Sequence, residues 1–345
     1  MDRANPCGLN GFSFVEFSAV NNSDLQNCFR ALGFSHTKTH KNYNLSLFEQ
    51  GNIKFIINSE KNTQATEHAI IHGTGPCAMG FMVENSTKAF EAAVANGATP
   101  ARSNDDAHLH PMPAIEAIGG SVIYFADNQN SNFADWNSLP QDCNKQDTNL
   151  LEIDHLTHNV YRGNMDRWAD FYCNIFNFRE IRYFDIKGKI TGLVSRAMSS
   201  PCGKIKIPLN ESTDSKSQIE EFLQEYNGEG IQHIALSTSN IYQSIRTIRQ
   251  NGISFLDVPN SYYEMIANRI PWHQEPVDKL KQEQILIDGE KSADHGLLLQ
   301  IFTKNLFGPV FFEIIQRKGN EGFGEGNFQA LFEAIERDQI ERGVL

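Results

Sequence analysis

Two stretches of the sequence match each other without a gap: PCAMGFMVENSTKAFEAAVANG at 76–97 and IQHIALSTSNIYQSIRTIRQNG at 231–252. Each has the pattern of a short apolar strand followed by a helix, expected at 86–96 and 241–251, that ends at an Asn-Gly pair. A second pair, FSFVEF at 12–17 and IDHLTH at 153–158, also precedes a helix in each half. The repeats predict an α+β protein of four strand–helix–strand modules, paired into two tandem domains.

A polar segment at 128–149 separates the two halves of the chain. It is rich in Asn, Gln, Asp and Ser and has no hydrophobic period, which is typical of a linker. We therefore expect a first domain at 1–127, a linker at 128–149 and a second domain at 150–345. A shorter polar run at 210–216 is expected to be a loop within the second domain.

The composition excludes several classes of partner. The 345 residues carry 42 acidic and 30 basic side chains, a formal net charge of −12, whereas nucleic acids and anionic membranes require a basic surface. The sequence has no run of 18 apolar residues that could span a bilayer, and its first residues lack the apolar segment of a signal peptide. Its six cysteines are scattered singly, which favours free thiols in a reducing cytoplasm.

Three side chains within apolar strands form a candidate metal site. His155 and His233 lie near the start of their strands, and Glu313 lies inside PVFFEII at 309–315. A carboxylate there is costly unless it is paired, protonated or metal-bound. Two imidazoles and one carboxylate match the facial triad of non-haem Fe(II) oxygenases, which leaves three coordination positions open. The alternative is that each histidine is a hydrogen-bonded core residue and Glu313 is an ion-pair partner.

The first domain has no candidate ligands at the matching positions, and this favours the metal interpretation. At the positions that match the three candidate ligands, its sequence carries Phe14, Ala78 and Phe125. Apolar residues at all three positions are expected if only the second domain binds a metal.

Five longer motifs resemble those of the 4-hydroxyphenylpyruvate dioxygenase family: IDHLTHNV at 153–160, GEGIQHIAL at 228–236, LLLQIFTK at 297–304, FFEIIQRKG at 311–319 and GFGEGNFQALF at 322–332. The resemblance is dense from about residue 150 onwards and weaker but collinear before it. That family belongs to the vicinal-oxygen-chelate superfamily. The resemblance therefore implies two tandem domains of paired βαβββ modules, with the metal site in the C-terminal domain only.

The resemblance also implies an enzyme, with one Fe(II) per subunit held by His155, His233 and Glu313. The family converts 4-hydroxyphenylpyruvate and dioxygen into homogentisate and carbon dioxide, a step of tyrosine and phenylalanine breakdown. The 2-oxo acid chelates the iron at two open positions and supplies two of the electrons, so no organic cofactor is implied. We expect these small molecules as partners, no nucleic acid or membrane, and a homo-oligomer, either a dimer or a tetramer.

Pocket residues follow from the same motifs. Catalytic roles are implied for three polar residues: Gln232, Gln300 and Asn210. Substrate binding is implied for seven more: Ser195, Pro208, Gln218, Phe311, Phe323, Asn327 and Phe328. From the residues alone, ordinary exposure is the alternative for each glutamine. Core packing is the alternative for the aromatic rings, and for Phe302 it is the expectation.

Glycines at 322, 324 and 326 predict a flexible segment before a C-terminal helix. Asn327 is the expected N-cap. Apolar side chains then recur at helical spacing, at Phe328, Leu331, Phe332 and Ile335. The pattern predicts a lid helix, hinged on the glycines, over the metal. It disfavours a phosphate-binding loop, because no lysine follows and Glu325 would repel an anion.

Three alternatives remain open from the sequence. A hydroxymandelate synthase would use the same substrate and triad but oxidise the side-chain carbon, and Pro208 with Asn210 favour the ring-attacking enzyme. An extradiol ring-cleaving dioxygenase would turn over a catechol without a 2-oxo acid. A metal-free binding module would contain no iron and would tolerate the loss of His155.

Overall fold

The computed structural model describes residues 4–19, 22–101, 112–131, 133–140, 147–187, 192–215 and 217–330. In the first half of the chain the elements are β1 (Leu9–Ser18), α1 (Asn22–Ala31), β2 (Ser35–Thr39), β3 (Leu45–Gln50), β4 (Ile53–Asn58), α2 (Gln64–His72), β5 (Gly75–Val83), α3 (Ser86–Ala95), β6 (Ala114–Glu116), β7 (Val122–Ala126) and β8 (Asn137–Ser138).

In the second half the elements are β9 (Leu150–Val160), α4 (Met165–Phe176), β10 (Arg179–Lys187), β11 (Gly192–Ser199), β12 (Lys206–Ser212), α5 (Gln218–Glu225), β13 (Gly230–Thr238), α6 (Ile241–Gln250), α7 (Asn260–Glu264), α8 (Ile266–Arg269), α9 (Val277–Glu283), β14 (Leu286–Asp288), β15 (Leu297–Phe302) and β16 (Phe311–Lys318). Residues 325–330 begin a last helix, α10.

Each half forms one eight-stranded sheet, which confirms the predicted α+β fold of two tandem domains. The strand orders are β6-β7-β5-β1-β4-β3-β2-β8 and β10-β11-β12-β9-β13-β16-β15-β14. Strands β4-β1-β5-β7 of the first sheet therefore correspond to β12-β9-β13-β16 of the second. Both β5 with α3 and β13 with α6 follow the sequence repeat at a constant offset of 155 residues.

Matched caps explain why the repeated helices start where they do. The side chain of Asn85 accepts a hydrogen bond from the backbone N–H of Lys88 at 2.9 Å. The side chain of Asn240 accepts one from Gln243 at 3.2 Å. Each cap satisfies a backbone donor that the first helical turn leaves without a partner.

The strand register corrects one predicted equivalence between the domains. Glu313 lies opposite Ala235, and the residue that matches Ala235 in the repeat, Gly80, lies opposite Tyr124. Tyr124, and not Phe125, therefore takes the place of Glu313. Phe125 lies on the opposite face, because successive side chains of a strand alternate.

Aromatic rings fill the face of the first sheet that corresponds to the candidate metal site. The ring of Phe14 lies 5.9 Å from that of Tyr124 and 6.1 Å from that of Phe133, and all three residues are buried. Phe133 comes from the segment predicted to be a linker, as does β8, which pairs with β2. We propose that this segment is structurally part of the first domain.

The polar run at 210–216 is not wholly a loop as expected. β12 continues to Ser212, so Asn210 is a strand residue with a defined face. No helix in the described part of the chain is long and apolar enough to cross a membrane.

Candidate metal centre

The three candidate ligands come from neighbouring strands of the second sheet. β13 lies between β9 and β16, and its Ala235 is opposite His155 on one side and Glu313 on the other. His233 lies two residues before Ala235, and side chains two apart on a strand share a face. Residues that are far apart in the sequence therefore meet on one face of the sheet.

The geometry of these side chains fits a metal ion. Nε2 of His155 and Nε2 of His233 lie 3.2 Å and 3.5 Å from Oε2 of Glu313. Ligands at right angles around a transition metal lie about 3 Å apart. All three residues are buried, and among the described residues Oε1 of Glu313 has no hydrogen-bond partner. Two imidazole nitrogens and a carboxylate oxygen are a suitable donor set for a divalent transition metal.

Burial and mutual contact set the charges of the centre. Burial alone raises the pKa of Glu313, but the neighbouring His155 and His233 outweigh it and bring that pKa to about 2. Burial lowers the pKa of His155, but the carboxylates of Glu313 and Asp154 reverse this, and the pKa is raised. At His233 burial dominates and the pKa is lowered. The centre therefore offers an ionised carboxylate and a neutral imidazole as ligands.

A β-bulge places Gln232 beside His233. Ile231 and His233 lie opposite consecutive residues of β9, His158 and Thr157, so Gln232 is the extra residue in β13. Gln232 and His233 both line the cavity, and Oε1 of Gln232 lies 3.1 Å from Nδ1 of His233. Because Nδ1 is engaged there, Nε2 is left to face the centre.

The ligands lie in the wall of a cavity of about 220 Å³. Eight of the pocket residues implied by the motifs also line it: Ser195, Pro208, Asn210, Gln218, Gln232, Phe311, Phe323 and Phe328. Phe302 belongs to the buried apolar core, as expected, and it lines the cavity as well.

Aromatic rings surround the centre. Phe311 stacks on His233 with ring centroids 4.9 Å apart and planes at 21°. Phe323 meets His155 edge-on at 5.3 Å. Phe302 packs against Phe328 of α10 at 6.2 Å. The cavity therefore suits a ligand with an aromatic ring.

Gln300 and Asn327 lie behind this wall, outside the residues that line the cavity. Gln300 is fully buried on β15, and its Oε1 accepts a hydrogen bond from Nδ2 of Asn327 at 3.2 Å. Asn327 also accepts hydrogen bonds from the hydroxyl of Tyr262 at 2.6 Å and from Arg269 at 3.3 Å. The two amides thus hold α10 against the second sheet.

The expectation that Asn327 caps the last helix is wrong. The backbone N–H groups of Asn327 and Phe328 both donate to the carbonyl of Gly324, at 3.0 Å and 3.1 Å. Gly324 is therefore the residue that precedes the first turn, and Asn327 lies inside it. The predicted helical positions at Leu331, Phe332 and Ile335 lie outside the described residues.

The sequence does not single out seven further lining residues: Thr157, Phe184, Gly192, Leu193, Ser217, Ile219 and Leu256. Alternation along β9 from His155 and along β11 from Ser195 identifies Thr157 and Leu193 once the strands are known. Ile219 on α5 and Leu256 in a loop reach the cavity through tertiary packing, for which the sequence has no local signal.

Comparison with known proteins finds family matches in both halves of the chain and relatives over its full length. A family model described as "Hydroxyphenylpyruvate dioxygenase, HPPD, N-terminal" matches residues 3–139. One described as "Glyoxalase/Bleomycin resistance protein/Dioxygenase superfamily" matches residues 152–265. The chain is 60% identical to the 4-hydroxyphenylpyruvate dioxygenase of Legionella pneumophila (strain Corby), over 100% of this chain and 99% of that protein.

Two solved structures share the fold. One is a xylose isomerase-like TIM barrel/4-hydroxyphenylpyruvate dioxygenase fusion protein, with a TM-score of 0.80 and 27% identity, covering 97% of this chain and 54% of that one. The other is a mutant of 4-hydroxymandelate synthase from Streptomyces coelicolor, with a TM-score of 0.80 and 23% identity, covering 96% of this chain and 99% of that one. The second likeness is evidence of the fold alone.

Proposed function

The chain belongs to the 4-hydroxyphenylpyruvate dioxygenase family, and we propose that it converts 4-hydroxyphenylpyruvate and dioxygen into homogentisate and carbon dioxide. The single observation that supports this most is the convergence of His155, His233 and Glu313, with ligand atoms within 4.8 Å of one another, in the wall of an aromatic cavity. We propose that these residues hold one Fe(II) per subunit. Fe(II) there would hold the 2-oxo acid and activate dioxygen.

The aromatic side chains orient the substrate and exclude water. Phe311 is held in place by stacking on His233, and Phe302 and Phe328 pack on each other at the same cavity. Their flat apolar surfaces match a phenyl ring. They also keep water away from the reacting atoms, which strengthens the electrostatic interactions at the centre.

We propose that polar side chains on β11 and β12 receive the phenol hydroxyl. Ser195 lies opposite Asn210, which lies opposite Asn159. Within the described residues, Oγ of Ser195 and both amide atoms of Asn159 are buried without a hydrogen-bond partner. Asn159 lies four residues along β9 from His155, roughly 13 Å at the rise of a strand. Ser195 and Asn210 line the cavity and Asn159 does not, so Ser195 and Asn210 are the groups expected to contact the phenol.

Replacing Ser195 by alanine should therefore weaken discrimination for the phenol. We expect kcat/KM for 4-hydroxyphenylpyruvate to fall about tenfold, the value of one hydrogen bond, and kcat/KM for phenylpyruvate to change little. The matched control is Ser199→Ala, a buried serine on the same strand that does not line the cavity. Equal losses for both substrates would contradict the assignment of Ser195 to the hydroxyl.

Metal removal should abolish turnover reversibly. We expect a chelator to stop oxygen uptake and Fe(II) to restore it. Zn(II) should bind the same donors but should not restore activity, because it has no redox chemistry. Oxygen uptake that continues in the metal-free protein would refute the proposal.

Product analysis tests the reaction itself. We expect one homogentisate and one carbon dioxide for each dioxygen consumed. Release of 4-hydroxymandelate would instead assign the side-chain-oxidising reaction. Turnover of a catechol without a 2-oxo acid would assign ring cleavage.

We also propose that the protein acts in the cytoplasm as a homo-oligomer that assembles through its first domain. The five free cysteines in the described residues support the location in the cytoplasm. The exposure of Ile70 and Ile71 on α2, by 78% and 53%, supports an interface on the first domain. Sedimentation of the purified chain tests the assembly.

A further inference from the structure

A second β-bulge lies directly beside the metal ligand His155. Ile153 and His155 lie opposite consecutive residues of β13, Leu236 and Ala235, so Asp154 is the extra residue in β9. The carboxylate of Asp154 turns towards its neighbour, with Oδ1 2.8 Å from Nδ1 of His155. An acceptor at Nδ1 places the proton there and directs Nε2 to the metal.

Arg317 forms a bidentate ion pair with this carboxylate. Nε donates to Oδ2 of Asp154 at 2.7 Å, and Nη2 donates to Oδ1 at 2.8 Å. The side chains of Arg317 and Asp154 are only 15% and 9% exposed. A bidentate pair of this kind fixes the direction of the carboxylate as well as its charge.

The same guanidinium group holds the segment that leads into α10. Nη1 of Arg317 donates to the carbonyls of Asn320 at 3.0 Å and Gly322 at 2.7 Å. The group also lies 5.8 Å from the centre of the Phe323 ring, and that ring packs edge-on against His155. Two sets of contacts thus link residues 320–323 to His155. One runs through Arg317 and Asp154, and the other is the direct contact of the Phe323 ring.

The first domain has the bulge but not the ion pair. Its β1 shows the same irregularity against β5, and Ser13 takes the place of Asp154. By the register that matches Tyr124 with Glu313, Asn128 takes the place of Arg317. The acid and the base therefore occur only in the domain that has the candidate ligands. A feature required by the fold alone would be expected in both domains.

We propose that Asp154 and Arg317 are a positioning pair that orients His155 for the metal and couples it to residues 320–323, so that metal binding and the seating of this segment stabilise each other. The inference rests on the proposed metal centre. The coupling is reciprocal, because a metal that favours the seated segment must itself bind more tightly when the segment is seated.

Co(II) titration of the metal-free protein tests the pair without measuring turnover. Arg317→Lys keeps the charge, but its three N–H donors cannot replace the four hydrogen bonds of Arg317 to Asp154 and two carbonyls. We expect it to weaken Co(II) binding about 10- to 100-fold and to alter the ligand-field spectrum of bound Co(II). In the wild-type protein Co(II) should slow hydrogen exchange at the amides of Gly322 and Phe323, and in the variant it should not. Asp154→Asn is a second, independent variant with the same expected result.

Arg249→Met is the matched control. Arg249 also donates to a buried carboxylate and a backbone carbonyl, both of Glu283 at 2.7 Å, and lies 5.2 Å from the ring of Phe255. We expect this variant to lose stability but to keep wild-type Co(II) affinity and protection. Wild-type values in both Arg317→Lys and Asp154→Asn would overturn the positioning pair. A wild-type protein that binds neither Co(II) nor Fe(II) would overturn the metal centre itself, and this inference with it.

Discussion

The Glu313→Gln variant is expected to lose Fe(II) binding and at least about 10³-fold of its oxygen uptake with 4-hydroxyphenylpyruvate. The amide has the size of the carboxylate, so the buried packing around residue 313 is preserved. What it lacks is the negative charge that the low pKa of Glu313 maintains between two imidazoles. Two neutral nitrogens and a neutral oxygen are a weak site for Fe(II). Anaerobic Fe(II) titration and an oxygen electrode measure both effects.

Glu229→Gln is the control for removing a buried carboxylate. Glu229 is 7% exposed and accepts hydrogen bonds from the backbone N–H of Tyr161 at 2.9 Å, from Asn164 at 2.7 Å and from Trp168 at 2.8 Å. Weakening these charge-assisted bonds should lower the free energy of unfolding by about 1–3 kcal/mol and leave Fe(II) binding unchanged. If Glu313→Gln instead retained one Fe(II) and full turnover, the assignment of the three ligands would be refuted.

The parts of the fold that depend on local patterns could be predicted from the sequence. The expected helices at 86–96 and 241–251 differ from α3 and α6 by one residue at their ends, because an asparagine cap and an Asn-Gly stop act within one turn. The three candidate ligands could be predicted because two histidines and a glutamate stand out in apolar strands. The apolar residues at the matching positions of the first domain indicate which half carries the candidate site.

The parts that depend on strand pairing could not be predicted. Strict alternation would place Gln232 and His233 on opposite faces, and only the bulge in β13 brings both to the cavity. The same holds for Asp154 beside His155. The matching of Phe125 with Glu313 was wrong by one residue, and in a strand an error of one residue reverses the face. Such errors cannot be detected within one segment, because register is set by the partner strand.

The predicted N-cap at Asn327 failed for a related reason. Asparagine is a common cap, but here its amide is taken up by Gln300, Tyr262 and Arg269, which lie far away in the sequence. Tertiary hydrogen bonds therefore decided the role of this residue over its local preference.

Gly324→Ala is expected to have the second large effect. Gly324 has φ +81°, a conformation that costs alanine about 1–3 kcal/mol. An added Cβ would also lie 1.9 Å from Oε1 and 2.6 Å from Cδ of Gln300. Gln300 is fully buried and its Oε1 accepts a hydrogen bond from Asn327, so moving its amide aside breaks this bond, a further cost of about 1–3 kcal/mol.

The enzymatic activity of the Gly324→Ala variant should decrease together with its stability. Phe323 and Phe328, on either side of Gly324, both line the cavity, and a shift of the backbone at residue 324 displaces them from His155 and Phe302. We expect kcat/KM for 4-hydroxyphenylpyruvate to fall at least about tenfold, because misplaced positioning groups are costly. Urea unfolding measures the loss of stability, and steady-state oxygen uptake measures the loss of activity.

Gly163→Ala is the control variant. It separates the cost of a positive φ from the cost of the steric clash with Gln300. Gly163 has φ +87°, and an added Cβ there would meet nothing within 4 Å. This variant should therefore lose only the stability that the backbone conformation costs and should keep wild-type kcat/KM. The difference between the two variants measures how tightly the segment before α10 is seated on Gln300. If both variants lost the same stability and Gly324→Ala remained fully active, the close contact with Gln300 would not be what positions the aromatic wall.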